Sequence, residues 1–253
     1  MLLAVSINNT NAACGVYREA ALVATWRIRT SPLRTTDEYA VLLRSMCAGE
    51  GIAFDEVRSV VIGSVVPSHT PAFVELAERY LKVEPVVVGP GIRTGVRLLV
   101  EHPREVGADR IANTVAVHRL HGGPAIVLDM GTATTFGVVS AEGDFLGGAI
   151  APGLEISMQA LTDRAALLHR VELVRPRSAI GKNTITNIQA GVLFGYVGLV
   201  EGMIARIKAE LGPCKVVGTG GLIGVVAPET SQVDVVDRQL TLDGLRLLWE
   251  LNR

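Results

Sequence analysis

Residues 125–139, AIVLDMGTATTFGVV, decide how the chain reads. Ala125 to Leu128 are an apolar run rich in β-branched side chains, which predicts a buried strand. Asp129 closes the run, Gly131 follows, and Thr132, Ala133, Thr134 and Thr135 are small or hydroxylated. Phe136 to Val139 read as the returning strand of a hairpin. A glycine lets backbone approach a ligand, and hydroxyls and free N–H groups suit phosphate oxygens. A nearby carboxylate can hold a divalent cation through water. These residues describe a strand–turn–strand phosphate loop. They equally describe an ordinary hairpin with a polar turn, because a short motif carries little weight alone.

The same layout occurs at residues 2–17, LLAVSINNTNAACGVY. Leu2 to Val5 match the first strand and Cys14 to Tyr17 the returning one. Ser6 falls where Asp129 falls, and Asn8 where Gly131 falls. Two copies of one supersecondary unit, half a chain apart, predict a duplicated domain. We place the boundary so that residues 1–118 form the first domain and 119–253 the second.

Bulk properties narrow the class. The 253 residues suit one large domain or two small ones, and 49% hydrophobic residues with only 4% aromatic ones predict a mostly aliphatic core. The net charge of −1 gives no electrostatic footprint for nucleic acid. Cys14, Cys47 and Cys214 are far apart and have no metal-binding spacing, so free thiols in a reducing, cytoplasmic compartment are expected. The first residues lack a basic n-region, which argues against a signal peptide. No uninterrupted apolar run has the length of a membrane span.

Outward from the two hairpins, the pattern alternates. Val23 to Arg29 predict a third meander strand, and Thr36 to Ala48 a helix capped by Thr35 or Thr36. Val57 to Val65 predict a strand, Thr70 to Leu81 a helix with Pro71 in its first turn, and Val86 to Val88 a short strand. Val106 to Leu120 predict a helix entered at Gly107, with Val106, Ile111 and Val115 as its apolar stripe. In the second half Gly147 to Gly153 read as strand and loop, and Ile156 to Leu168 as a helix. Residues 183–211 read as one long or two short helices, with Gly191, Gly195, Gly198 and Gly202 suited to close packing. Lys215 to Gly221 read as a strand with a glycine loop, and Leu240 to Leu251 as a closing helix. The expectation is an α/β fold of two duplicated domains, each a mixed sheet flanked by helices. His118 and His121 are three apart, but no acid or cysteine near them in sequence completes a metal set.

Two hairpin loops and a later strand ending in Thr-Gly-Gly resemble the actin, hexokinase and sugar-kinase superfamily, in which two ribonuclease H-like (actin-like ATPase) domains close on ATP. More narrowly the chain resembles type III pantothenate kinases almost end to end. The segments that carry this are WRIRT at 26–30, TTDEY at 35–39, SVVPS at 64–68, PGIRTG at 90–95 and EVGADRIAN at 105–113. In the second half they are DMGTATTF at 129–136, GGAIAPG at 147–153, KNT at 182–184, VVGTGGL at 216–222 and LTLDGL at 240–245. The resemblance implies phosphorylation of pantothenate on its primary hydroxyl by ATP, the first step towards coenzyme A. It also implies a divalent cation such as Mg2+, a monovalent cation (K+ or NH4+), and a homodimer. By position Asp109 matches the family's general base, and Gly107, Ala108 and Arg110 complete its pantothenate-binding segment with Asp109. Thr184 matches a further substrate contact. Asp129 matches the monovalent-cation ligand and Thr132 an ATP contact. Ser6, Ile7, Asn8, Asn9, Thr10, Asn11, Ala12 and Ala13 match the first ATP loop. From residue chemistry alone, Asp109 could equally be a carboxylate stabilised by the start of a helix, and Arg110 a surface ion-pair partner.

The first loop departs from the family. The pattern there is Asp-x-Gly-Asn-Thr, and this chain has Ser6-Ile7-Asn8-Asn9-Thr10. Serine carries no charge, and Asn8 adds a side chain where backbone should approach phosphate, although asparagine tolerates positive φ. Gly137 also stands where the family often has an acid. Two readings follow: a pantothenate kinase with a weakened phosphate site, or a non-catalytic relative that binds a ligand or partner.

Overall fold

The structure, a computed structural model, describes residues 1–31, 33–165 and 168–253. Its first sheet begins with the predicted meander, β1 (Leu2–Ile7), β2 (Asn11–Arg18) and β3 (Ala21–Arg29). β4 (Ser59–Ser64) then lies parallel to β1, and β5 (Val86–Val88) parallel to β4, giving the order β3-β2-β1-β4-β5. Parallel neighbours need crossovers, and here α1 (Thr36–Gly49) and α2 (Thr70–Leu76) supply them. Thr35 caps α1: its side chain accepts from the Glu38 N–H while Glu38 reaches back to the Thr35 N–H. α2 runs on through a wider turn, Ala77–Leu81, so the predicted helix 70–81 is two segments.

Alternation along β1 explains why helices cover both faces of this sheet. Leu3, Val5 and Ile7 pack with Tyr39 and Leu43 of α1 and with Phe73 and Leu76 of α2. Leu2 and Ala4 face the other way. They pack with Ala108, Ile111, Ala112 and Val115 of α3 (Ala108–His121) and with Leu242, Leu245 and Leu248 of α7 (Leu240–Asn252). Val106 precedes α3 and only borders this cluster, so the stripe is carried by Ala108, Ile111, Ala112 and Val115. Cys14 and Cys47 are buried free thiols, and burial pushes the Cys14 thiol up to about 12.

The second sheet repeats the plan. β6 (Ala125–Met130), β7 (Ala133–Val139) and β8 (Phe145–Pro152) form the meander, and β9 (Lys215–Thr219) and β10 (Val235–Val236) add in parallel, in the order β10-β9-β6-β7-β8. α4 (Leu154–Arg164), α5 (Thr184–Leu211) and the short α6 (Ile223–Val226) accompany it. Ile126, Leu128 and Met130 pack with Leu154, Tyr196, Val197, Val200 and Ile204. The predicted helix 156–168 is observed as Leu154–Arg164, and residues 166 and 167 of that prediction lie outside the described residues.

Three expectations change. The chain forms two compact units, Met1–Arg119 with Gln239–Arg253, and Leu120–Arg238. The end of the chain, expected in the second domain, belongs to the first because α7 buries its leucines on the first sheet. A Cβ on Gly244 would lie 2.0 Å from the Ala112 carbonyl oxygen, so α7 and α3 touch backbone to backbone. Thr241 Oγ1 donates to Asn113 Oδ1 at 2.8 Å, and the Tyr17 hydroxyl donates to Asp243 at 3.0 Å. Secondly, α5 takes the first of its two expected forms, one long helix capped by Asn183 and Thr186, but without the expected packing of its glycines. A Cβ at Gly191, Gly195 or Gly198 would meet nothing within 4 Å, so this glycine row is open rather than packed. Thirdly, α5 is long and apolar enough by composition to cross a membrane, against the sequence expectation. Its Ile188, Leu193, Tyr196, Val197, Val200 and Ile204 are buried, which makes it a core helix of the second unit.

Candidate active site

In the first unit, Ser6 pairs with Ala13 on β2 and Gly63 on β4. It is 2% exposed. Alternation puts it on the Leu2–Ala4 face, the face that α3 covers. A Cβ on Gly63 would lie 3.6 Å from that of Ala108, so the start of α3 sits beside Ser6's strand neighbour. The fold therefore brings Ser6 and the start of α3 to one face of one unit.

The loop itself is closed on its own atoms. The Asn8 N–H donates to Asn11 O at 3.1 Å, and Asn8 Nδ2 donates to Ser6 Oγ at 3.3 Å. Thr30, the last residue of WRIRT, braces it from outside: its hydroxyl donates to Asn8 O at 2.6 Å and its N–H to Thr10 O at 3.0 Å. Ile7 pairs with Ala12 at the head of the hairpin, and Asn9 is exposed. Residues 6–13 hold no carboxylate.

Asp109 lies in the first turn of α3 and is partly buried. Its Oδ1 accepts the Arg110 N–H at 2.8 Å. Burial pushes its carboxyl above the ordinary carboxylate range, against the opposing pull of the Arg110 N–H and the Arg110 charge. Gly107 makes room for it, since a Cβ there would lie 2.5 Å from Asp109 Oδ1 and 3.1 Å from Val65 Cγ1. A carboxylate with a raised pKa is a stronger base than an ordinary one, which suits Asp109 to taking a proton.

In the second unit, Asp129 pairs with Thr135 on β7 and Thr219 on β9, the positions corresponding to Ala13 and Gly63 around Ser6. Gly131 and Thr132 form the turn, with the Gly131 N–H donating to Ala133 O at 3.0 Å. Gly220 has φ +91°, and a Cβ on it would lie 2.6 Å from Asp129 Oδ1. That glycine is therefore required both by its backbone and by the carboxylate against it. Thr184 opens α5 and lines a cavity of about 750 Å³ with Leu161, Asn187, Ile188, Val192 and Tyr196.

Some of these supports had a signal in sequence and some had none. Gly153 ends the GGAIAPG segment, and its N–H donates to Thr132 O at 3.2 Å. A Cβ there would come within 2.1 Å of that oxygen. Tyr196 left no mark, because a tyrosine in an apolar helix reads as core. His121 gains an acid that sequence distance hid, its Nε2 lying 2.9 Å from Asp237 Oδ2. Among the described residues no three His, Cys, Asp or Glu side chains cluster as a metal set.

Two five-stranded mixed sheets of matching topology, each with a hairpin turn beside a parallel strand, define an α/β fold built from two copies of one unit. Solved structures share this fold. One is component A of (R)-2-hydroxyglutaryl-CoA dehydratase from Acidaminococcus fermentans (12% identity, 98% of this chain and 96% of that one, TM-score 0.55). Another is an inorganic polyphosphate/ATP-glucomannokinase from an Arthrobacter species (14% identity, 99% and 97%, TM-score 0.50). A sequence profile for type III pantothenate kinase matches residues 2–206, and a type III pantothenate kinase from Moorella thermoacetica is 49% identical over the full length of both chains. The chain belongs to the type III pantothenate kinase family, a family of phosphotransferases.

Proposed function

We propose that this protein transfers the terminal phosphoryl group of ATP to the primary hydroxyl of pantothenate, as a homodimer in the cytoplasm. The observation that carries the reading is Asp109, a partly buried carboxyl raised above its ordinary range at the start of α3 and made room for by Gly107. Phosphoryl transfer depends mainly on positioning and charge neutralisation. Asp109 takes the hydroxyl proton as the oxygen attacks phosphorus. Arg110 clamps the substrate carboxylate, Gly107 and Ala108 bound that pocket, and Thr184 supplies a further polar contact. Residues 6–13 are the ATP-contacting loop of the first unit, and Thr132 is the ATP contact of the second.

The two implied cations fare differently. At the first hairpin the donors do not fit Mg2+: Ser6 is neutral and already accepts from Asn8, and Mg2+ prefers one or two carboxylates. No step is assigned to a divalent ion there. The chemistry of Asp129 would suit a K+ or NH4+ ion, a carboxylate in the same turn as the less crowded Gly131. Such an ion, held by Asp129, would supply positive charge to the site.

The neutral first hairpin also favours a second reading, a non-catalytic relative that binds ligand or partner in a regulatory role. Phosphate transfer from ATP to pantothenate, with and without potassium or ammonium, separates the two. Transfer that rises with the monovalent ion supports the kinase. Pantothenate binding without transfer supports the alternative.

A further inference from the structure

We infer that Tyr196 is a positioning residue for the second phosphate turn, acting on Gly131–Thr132 through Thr134 and Pro152. The inference rests on the reading of Thr132 as an ATP contact. Tyr196 lies in the middle of α5, 5% exposed, and its hydroxyl bonds both Thr134 Oγ1 and the Pro152 carbonyl oxygen, the latter at 2.8 Å. Thr134 is wholly buried. A carbonyl can only accept, so the phenol proton goes to Pro152 and the threonine hydroxyl donates to the phenol oxygen. The chain of bonds is complete only while the phenol is protonated, and burial raises its pKa further from neutral.

Both partners flank the turn. Thr134 is two residues past Thr132 on β7 and pairs with Met130 on β6. Pro152 ends β8, opposite Ala133. The next residue, Gly153, donates its N–H to Thr132 O and has no room for a Cβ against it. One phenol therefore ties the strand leaving the turn to the strand end that covers it. Thr134 cannot shift without breaking a buried hydrogen bond, nor Pro152 without breaking a partly buried one. α5 also carries Thr184, 12 residues earlier, so about 18 Å of rigid helix separates the proposed substrate contact from this tie.

The test is Tyr196→Phe, which keeps the ring in the core and removes the hydroxyl. ATP and pantothenate dissociation constants are measured by calorimetry on the full-length protein, with thermal unfolding alongside. The expected result is a loss of ATP affinity of roughly tenfold, the scale of one buried hydrogen bond. Pantothenate affinity should stay within about twofold, because its contacts are not held through this tie. Thr134→Val should reproduce the loss and the double variant should add little, since the two act as one unit. Thr134→Ser, which keeps the hydroxyl, should bind ATP as the unchanged protein does. Equal losses for both ligands, or a lowered melting temperature with ATP affinity intact, would overturn the inference while leaving the kinase reading in place. If the unchanged protein holds no ATP, the kinase reading itself fails and the inference with it.

Discussion

The two hairpins occupy equivalent positions in equivalent sheets, yet their chemistry differs. Ser6 and Asp129 are each the fifth residue of the central strand, flanked on one side by the returning strand and on the other by a parallel one. At the second hairpin a carboxylate lies against a glycine that must stay glycine. At the first a buried serine is satisfied by Asn8, and the loop is closed by Thr30. Duplication preserved the backbone, because strand register and the packing of both faces constrain it. The charge at the strand end has no such structural role, so it could be lost without loss of fold.

The comparison can be broken most forcefully at Asp109, which lies on the face that the neutral hairpin shares. Asp109→Asn should lower kcat/KM for pantothenate by roughly 10²–10⁴, the usual contribution of a general base. The pH profile sharpens this. Burial raises the Asp109 pKa, so activity should climb with pH through that raised value rather than in the ordinary carboxylate range. For stability, a folded pKa above the unfolded one means the native state holds the proton more tightly. The favourable contribution is present below the unfolded pKa and is lost as pH rises through the folded one. Thermal unfolding at pH 8 should therefore find Asp109→Asn at least as stable as the parent.

Making the second hairpin imitate the first is the next largest change. Asp129→Ser should cost about 10²–10³ in turnover and abolish stimulation by potassium, as removing one preorganised electrostatic group does. Steady-state assays across potassium concentration check it. A milder blow to the same site is Gly220→Ala. The strained φ and the contact with Asp129 should cost about 1–3 kcal/mol in chemical denaturation. Finally, the first hairpin can be made to imitate the second. Ser6→Asp with Asn8→Gly should tighten ATP by about tenfold, near 1.4 kcal/mol. Robust, equal activity in parent and double variant would show that the first hairpin is not impaired. No transfer by either would favour the non-catalytic reading.

Much of this was legible because it is local. The two apolar runs, the polar turns between them, the capping threonine at the start of α1 and the segments around Asp109 and Asp129 are all read within a dozen residues. The equivalence of Ser6 with Asp129 follows from counting along two strands, and the sheets have the register that count requires. Harder cases involved partners distant in sequence. β10 is two residues long and exists only because β9 lies beside it. The four glycines of α5 suggested a break or a packed seam. The helix runs through them because its buried face outweighs a glycine penalty of about 1 kcal/mol each.

The sequence by itself determined the class, two copies of one α/β unit, and the chemical asymmetry between their hairpins, because strand periodicity and residue charge need no partner to be read. Only the tertiary structure decided that α7 returns to the first unit, that burial lifts the Asp109 pKa, and that Tyr196 ties α5 to the second turn. Each of those depends on which distant segments exclude water from one another, and that is a property of packing rather than of any stretch of chain.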